Sequence, residues 1–177
     1  MIGLLSGPSS YKIANALMLK VCWLCCVLGG VVFGLPVLAA MLLLSIWQKQ
    51  IEFDMPYLLG LGLIGLSLDT AWMHVGVLDY GDAAIQILPG VALAPAWIVM
   101  LWLAVGLSIR HSLIFLVNRP LFGAAVVGFG SPLSYLTGQS FGAVEIPSVE
   151  GLAVLAIVWF GLFYVVFDQA KTRLTAA

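Results

Sequence analysis

The sequence predicts an all-α, polytopic integral membrane protein with six transmembrane helices and both termini in the cytoplasm. Of its 177 residues, 63% are hydrophobic and only 8% are charged, whereas a soluble domain carries about 25% charged residues. The apolar residues fall into runs near the length of about 20 residues that a helix needs to cross a bilayer. All 7 lysine and arginine residues lie on one predicted face of the membrane, and basic flanks are retained in the cytoplasm.

Charge and composition also limit the domain organisation and the partners. The loops are too short for a separate soluble domain, so residues 1–177 are predicted to be a single transmembrane domain. The net charge of -1 argues against nucleic acid, which selects basic surfaces. The apolar stretch from Val21 to Trp47 is longer than the about 7–15 residues of a signal-peptide core. We therefore expect the first two spans to remain in the mature protein.

The predicted spans follow from the apolar runs and from the turn residues between them. They are about 13–31, 35–48, 57–78, 91–109, 120–138 and 151–167. Gly29, Gly30, Gly34 and Pro36 predict a tight turn between the first two spans. The second span is short, so a tilt, local thinning of the bilayer and a re-entrant hairpin all remain open.

The connecting segments alternate between the two faces. They are the loop from Lys49 to Pro56, an outer loop from Asp79 to Pro89, a cytoplasmic segment from Arg110 to Arg119, an outer loop from Gln139 to Glu150 and a polar tail from Asp168 to Ala177. Proline is tolerated in the first turn of a helix, so Pro95 is expected near the start of the fourth span and Pro120 at the start of the fifth. Leu113, Phe115 and Leu116 could place the Arg110–Arg119 segment on the membrane surface as an interfacial helix.

Asp69 is the most informative residue, because it lies in the middle of the third span. A carboxylate at that depth costs roughly 2.5–3.5 kcal/mol on insertion scales and marks a functional or a paired structural site. Lys20 is the one intramembrane cation that could pair with it. The alternative is that Lys20 extends to the cytoplasm and Asp69 hydrogen-bonds a neighbouring helix. The structural and functional interpretations of Asp69 both remain open.

The fifth span supplies the predicted surroundings of Asp69. Gly130, Ser134, Gly138 and Gly142 recur every four residues, and small residues at this spacing allow helices to approach closely. Close helix packing is one interpretation. The other is a polar cleft in the outer half of the membrane, with Tyr135, Ser131 and Gln139 facing Asp69 and Trp97 or Trp102. The candidate polar site is therefore Asp69, Lys20, Trp97, Trp102, Ser131, Ser134 and Tyr135.

The cysteines and His74 are more consistent with packing than with metal binding or catalysis. Cys22, Cys25 and Cys26 lie inside an apolar helix with no second cysteine pair, so small-residue packing is favoured over a metal site. His74 lies five residues beyond Asp69 and on a different helical face, so the two do not form a relay within one helix. Standard catalytic and phosphate-binding motifs are absent from the sequence. We expect no metal and no cofactor.

Several motifs resemble a family of small bacterial inner-membrane proteins known as a domain of unknown function (DUF2878-like). The matching stretches are Trp23–Val27, Gly65–Asp69, Pro95–Trp97 with Leu101–Trp102, His111–Leu113, Gly130–Tyr135 leading to Gly138, and Phe141–Val144. The resemblance implies a multi-pass protein of the bacterial inner (plasma) membrane and no assigned activity. The family typically has glutamine where this chain has Lys20, so a Lys20–Asp69 pair would not be general to it.

Three functions follow as hypotheses. The first is an accessory or ligand-binding membrane protein without a catalytic motif, with membrane lipids, a membrane-protein partner or a second copy of the chain as partners and no nucleic acid. The second is a membrane-embedded lipid-modifying enzyme that uses Asp69 and Tyr135 for acid–base chemistry. The third is a small transporter coupled through Asp69. Several polar side chains converging on Asp69 would favour chemistry, and one packed partner would favour structure.

Overall fold

The protein is mostly helical, as the sequence predicts. The computed structural model describes residues 9–176. Its elements are α1 (Ser9–Trp47), α2 (Ile51–His74), β1 (Ile85–Leu88), β2 (Val91–Leu93), α3 (Ala96–Gly106), α4 (Ile114–Val117), α5 (Pro120–Ser140) and α6 (Val149–Ala176), with a 3-10 turn at Gly81–Ala83. Four of the helices, α1, α2, α5 and α6, are long and apolar enough to cross a membrane. The fold is therefore that of an α-helical chain with several candidate membrane spans.

Helix α1 consists of two segments joined at Gly30. The Gly30 backbone has φ 57° and ψ -141°, in the positive-φ region that favours glycine. A Cβ built on Gly34 would lie 3.5 Å from the Cys26 Cα, whereas eight residues of continuous helix would separate the two positions by about 12 Å. The chain therefore turns back at Gly30, where the glycines predict a turn. We name the segments α1a (residues 9–29) and α1b (residues 31–47).

The predicted fourth span, 91–109, is wrong as a continuous helix. Residues 85–93 form an antiparallel hairpin in which Ile85 pairs with Leu93, and Gly90 in its turn has φ 78°. A short apolar run is consistent with either a strand or a buried helix, so periodicity alone did not separate the two. The residue before a proline is disfavoured in the helical region, and α3 begins directly after Pro95. With 11 residues, α3 is only about 16 Å long.

Other boundaries also differ from the prediction. Helix α2 begins at Ile51 rather than near Tyr57, so Asp54, predicted in a loop, lies in the first turn, where a negative charge is favoured by the helix dipole. Helix α6 continues to Ala176, so residues 168–176 of the predicted polar tail are helical. The segment from Arg110 to Arg119 contains only the short helix α4. Polar residues at a helix end do not by themselves mark where the helix stops.

The helices pack as two groups. Helix α3 packs against both α1 and α2, whereas α5 packs most extensively against α6. A Cβ on Gly106 would lie 2.6 Å from the Leu58 Cα, and a Cβ on Gly65 would overlap the Trp102 ring. These two glycines therefore allow α2 and α3 to approach closely. Helices α1 and α5 make no extensive direct contact, and a cleft separates them.

Candidate functional site

Asp69 lies at the centre of a buried polar cluster that joins α2, the loop after α2, α3 and α5. Its side chain is fully buried. Tyr80 and Tyr135 donate hydroxyl hydrogen bonds to Asp69 Oδ1 over 2.7 and 2.9 Å. Trp102 Nε1 donates to Asp69 Oδ2 over 2.7 Å. Three neutral donors therefore give each carboxyl oxygen at least one hydrogen bond, which satisfies a buried polar side chain.

Aromatic packing holds these donors in place. Tyr80 is buried in the loop after α2, with its ring 5.6 Å from that of Trp97 in an edge-to-face arrangement. Trp102 packs against Trp159 and Phe163 of α6, at centroid distances of 5.3 and 6.0 Å. Burial, together with the neighbouring Tyr135 and Asp69, raises the pKa of the Tyr80 phenol well above its ordinary value. Tyr80 is consequently a neutral hydrogen-bond donor at physiological pH.

Of the two alternatives for Lys20, the ion pair with Asp69 is not formed among the described residues. Among residues 9–176, the ion pairs within 4.0 Å all involve Asp54, and none involves Asp69. The buried carboxyl group instead accepts hydrogen bonds from Tyr80, Trp102 and Tyr135. Lys20 is exposed and lies in the lining of the neighbouring cleft.

The cleft has a volume of about 580 Å³ and lies beside the Asp69 cluster. Its walls are α1a and α5, and its floor is formed by α3 and α6. Tyr135 belongs to both features, since it lines the cleft and donates its hydroxyl hydrogen to Asp69. The lining is otherwise mainly apolar and includes Trp23, Trp97, Leu101, Trp102, Trp159 and Phe163. Small-ligand sites have volumes of about 300–1,000 Å³ and mainly apolar walls with a few polar groups.

The small-residue face of α5 borders this cleft rather than a packed helix. A Cβ on Gly130 would have no atom within 4 Å, Ser134 is exposed, and both line the cleft. Ser131 is buried and donates to the Gly128 carbonyl over 3.4 Å. Gly142 lies beyond the end of α5. Of the two interpretations of this face, close packing of another helix at Gly130 and Ser134 is not seen within residues 9–176.

A second buried carboxylate, Asp54, was not anticipated. Ser45 Oγ donates to Asp54 Oδ2 over 2.7 Å, and His111 Nε2 lies 2.8 Å from the same oxygen. Arg110 Nη1 lies 4.0 Å from Asp54 Oδ1. The ring of Tyr11 packs edge-on against His111 at 4.7 Å. This inner cluster joins α1a, α1b, α2 and the segment after α3.

The sequence does not predict the inner cluster, because it places Asp54 in a loop. His111 and Ser112 belong to a motif of the resemblance, which names no partner for them. Asn15 completes the arrangement: its Nδ2 donates to the Leu107 carbonyl over 3.1 Å, and its Oδ1 accepts from Ser112 Oγ over 2.6 Å. A lone asparagine in an apolar span was the available signal, since buried amides require partners.

The cysteines and His74 have structural environments. Cys22 and Cys26 are buried one helical turn apart, and Cys25 is partly exposed. No group of three or more potential metal ligands occurs in the described part of the chain. His74 is exposed, and its Nε2 lies 3.0 Å from the Ala92 carbonyl of β2. His74 therefore tethers the hairpin to α2 and does not contact Asp69.

The fold and the site define a helical protein with four candidate membrane-spanning helices and a buried polar centre beside a cleft. Residues 12–165 match the model of a family described as a protein of unknown function (DUF2878). The chain belongs to this family, as its motifs indicate. No curated protein and no solved structure matches it. Family membership assigns no activity, so the function is argued from the site.

Proposed function

We propose that this protein is a six-span inner-membrane protein that binds a lipid-like amphiphile in the cleft between α1a and α5. The observation that carries the proposal is the cleft itself, about 580 Å³ in volume, with apolar walls, a few polar groups and no direct seal between α1 and α5. An opening between two spans would face the bilayer, so a ligand could enter from the lipid. Membrane lipids are thus the favoured partners.

The six crossings are α1a, α1b, α2, α3 with the segment after it, α5 and α6. Two observations support this arrangement. Helix α1b ends on the side of the bundle where α1a begins. Ser45 near its end bonds Asp54, which also bonds His111, and the His111 ring packs against Tyr11. Helix α3 itself has only 11 residues. However, the chain before it is anchored near one end of α2, where Ala94 bonds Thr70. The chain after it is anchored near the other end, where His111 bonds Asp54, so residues 94–111 follow most of the length of α2. Both termini then lie on the cytoplasmic side.

Within this proposal, the Asp69 cluster shapes the wall of the cleft. Tyr135 is held by Asp69 as a donor, so its oxygen is oriented and can still accept a hydrogen bond from a ligand. Trp102 is fixed in the same way and presents its ring to the cleft floor. The buried carboxyl group therefore acts as a positioning element and need not touch the ligand.

The cleft can be filled without disturbing the fold. Gly130 lines the cleft and has open space above it, so Gly130→Phe places a ring in the cleft. Gly161 of α6 has equally open surroundings but lies outside the cleft, so Gly161→Phe is the matched control. Lipid co-purifying with each variant is measured by native mass spectrometry in mild detergent. We expect retention to fall at least about tenfold in Gly130→Phe, a change of about 1.4 kcal/mol, and to be unchanged in Gly161→Phe.

Equal lipid retention in the two variants contradicts the proposal. A concentration-dependent dimer that is lost only in Gly130→Phe would instead assign the cleft to a second copy of the chain. Co-purification of one stoichiometric membrane-protein partner, also lost only in that variant, would assign it to a partner helix.

A lipid-modifying enzyme is the second candidate, and one observation favours it. Tyr135 bridges the buried carboxyl group and the cleft, which is the position of a proton-transfer group. Tyr135→Phe removes the hydroxyl but keeps the ring. If the protein is an enzyme that uses Tyr135, this variant should retain bound lipid, and unmodified lipid should accumulate in cells. If the protein only binds lipid, the lipid composition of cells carrying the variant should be unchanged.

A further inference from the structure

Lys20 is the single charged residue in the lining of the cleft. The remaining lining residues are aliphatic, aromatic, glycine or hydroxyl-bearing side chains. Within residues 9–176, no acidic side chain lies within salt-bridge distance of Lys20, since every ion pair there involves Asp54. Both oxygens of the Asp69 carboxyl group already accept hydrogen bonds from Tyr80, Trp102 and Tyr135. The cleft thus presents an uncompensated positive charge.

The depth of Lys20 in the proposed membrane indicates that its charge needs a partner. Asn15 is level with the end of α3, because it bonds the Leu107 carbonyl. Lys20 lies five residues further along α1a, about 7.5 Å deeper in the direction of the outer face. A cation at such a position is costly unless it is paired or reaches the interface. An acidic group entering the cleft would supply the missing partner.

We propose, building on the binding function above, that the cleft selects an amphiphile with an acidic head group and one hydrocarbon chain, taken from the inner leaflet. The carboxylate or phosphate of the head group pairs with Lys20. The chain extends toward the outer half of the cleft, along Trp23 of α1a and Trp102 of α3. The volume of about 580 Å³ lies within the range of small-ligand sites, which favours one chain over a complete two-chain phospholipid.

Tryptophan fluorescence provides a direct test. Trp23, Trp97, Trp102 and Trp159 line the cleft, whereas Trp47 and Trp72 do not. Bromine quenches tryptophan at short range, so chain-brominated probes report occupancy. Three probes with the same chain are titrated into the protein in non-ionic detergent: 9,10-dibromostearate, the corresponding alcohol and the corresponding alkyl phosphate. We expect at least one acidic probe to bind about tenfold or more tightly than the alcohol, since hydrogen bonds to charged groups contribute about 1.5–3 kcal/mol.

Substitutions assign the preference to Lys20. Lys20→Gln should reduce the ratio of the affinities for the acidic probe and the alcohol to less than about threefold. Lys20→Arg should retain the wild-type ratio, because arginine keeps the charge. Lys12→Gln is the matched control, since Lys12 lies on the same helix outside the cleft. The comparison of dibromostearate with the alkyl phosphate distinguishes a carboxylate from a phosphate head group.

The outcomes separate this inference from the binding function. If the alcohol binds as tightly as both acidic probes, or if Lys20→Gln leaves the preference intact, the head-group assignment is wrong while binding in the cleft stands. If no probe quenches the wild-type protein and Gly130→Phe also leaves lipid retention unchanged, the binding function itself fails. Quenching that persists in Gly130→Phe would place the probe outside the cleft.

Discussion

At the scale of single residues, the buried carboxyl groups are explained by their donors. Asp69 Oδ1 accepts from two tyrosine hydroxyls, and Oδ2 accepts from the Trp102 indole. An asparagine amide could be accommodated with its oxygen toward Trp102 and its NH2 group toward Tyr80 and Tyr135, because phenolic oxygens also accept hydrogen bonds. A leucine would leave all three buried donors unpaired. The cluster therefore tolerates an amide in place of the Asp69 carboxyl group better than an apolar side chain.

The first prediction compares two substitutions of Asp69. Each unpaired buried group costs about 1–3 kcal/mol, so Asp69→Leu should lower the free energy of unfolding by about 3 kcal/mol or more. Asp69→Asn should lower it by about 1 kcal/mol or less. Thermal unfolding in detergent provides the measurement. Ser67→Leu is the control, because Ser67 is exposed on the same helix and bonds only the Leu63 carbonyl. Equal loss from the leucine and asparagine variants would contradict this account of the cluster.

A second residue-scale prediction concerns the inner cluster. Asp54→Ala would leave His111 and Ser45 without their shared acceptor in a fully buried site. Removing one partner of a buried ionic group costs about 3–5 kcal/mol, so we expect a loss of that size in unfolding free energy. Ser45→Ala should cost only about 1 kcal/mol, since one neutral partner is lost. A Ser45 variant as unstable as the Asp54 variant would show that Asp54 is not the centre of the cluster.

At the scale of elements, glycine positions determine how α1 is built. Gly34 is buried against Cys26 and Met100, whereas Gly60 of α2 has nothing near its Cβ direction. Gly34→Leu should therefore separate α1a from α1b and lower the melting temperature by at least several degrees. Gly60→Leu, the matched change, should be neutral or stabilising, because leucine favours helix more than glycine does. Equal melting temperatures for the two variants would argue against the turn at Gly30.

The elements also show how far the sequence could predict the structure. The long apolar runs and the glycines around Gly30 predicted most helices and the first turn, because hydropathy and backbone freedom are local properties. The hairpin at residues 85–93 was missed because its apolar run fits a strand or a helix equally well. Its placement depends on non-local bonds, from Ala94 N to Thr70 Oγ1 and from His74 to the Ala92 carbonyl.

The sequence predicted individual residues of the candidate site, but it did not predict all of their contacts. Asp69 was identified because a central carboxylate is costly, and Tyr135 and Trp102 were identified from polar and aromatic residues on neighbouring helices. Tyr80 was missed, since it lies in a loop whose return onto Asp69 leaves no local pattern. The sequence leaves open whether Lys20 pairs with Asp69, because it gives no distance between helices. Contacts across helices thus limited the prediction.

At the scale of the whole molecule, polar contacts tie together the segments at each end of the helix bundle. At one end, Asp54 and His111 join α2 to the segment after α3. At the other, the backbones of Asp79 and Glu145 bond each other reciprocally over 2.9 and 2.7 Å, which joins the loops after α2 and α5. Asp54 and Asp69 are about 22 Å apart along α2 by helical rise. The two clusters therefore fix opposite ends of one scaffold around the cleft.

The charges at these two ends predict the orientation in the membrane. The end near Asp54 carries Arg110 and the basic residues of the chain's terminal helices, whereas the joined loops at the other end carry acids and no lysine or arginine. Basic flanks are retained in the cytoplasm. A reporter active only in the periplasm should therefore be active when fused after Asp82 and inactive when fused after Lys171. A cytoplasm-active reporter at the same two positions is the control and should give the reverse pattern. Periplasmic activity after Lys171 would place the end of α6 outside the cell and would contradict cytoplasmic termini. Either the number of crossings would then be odd, or both termini would lie in the periplasm.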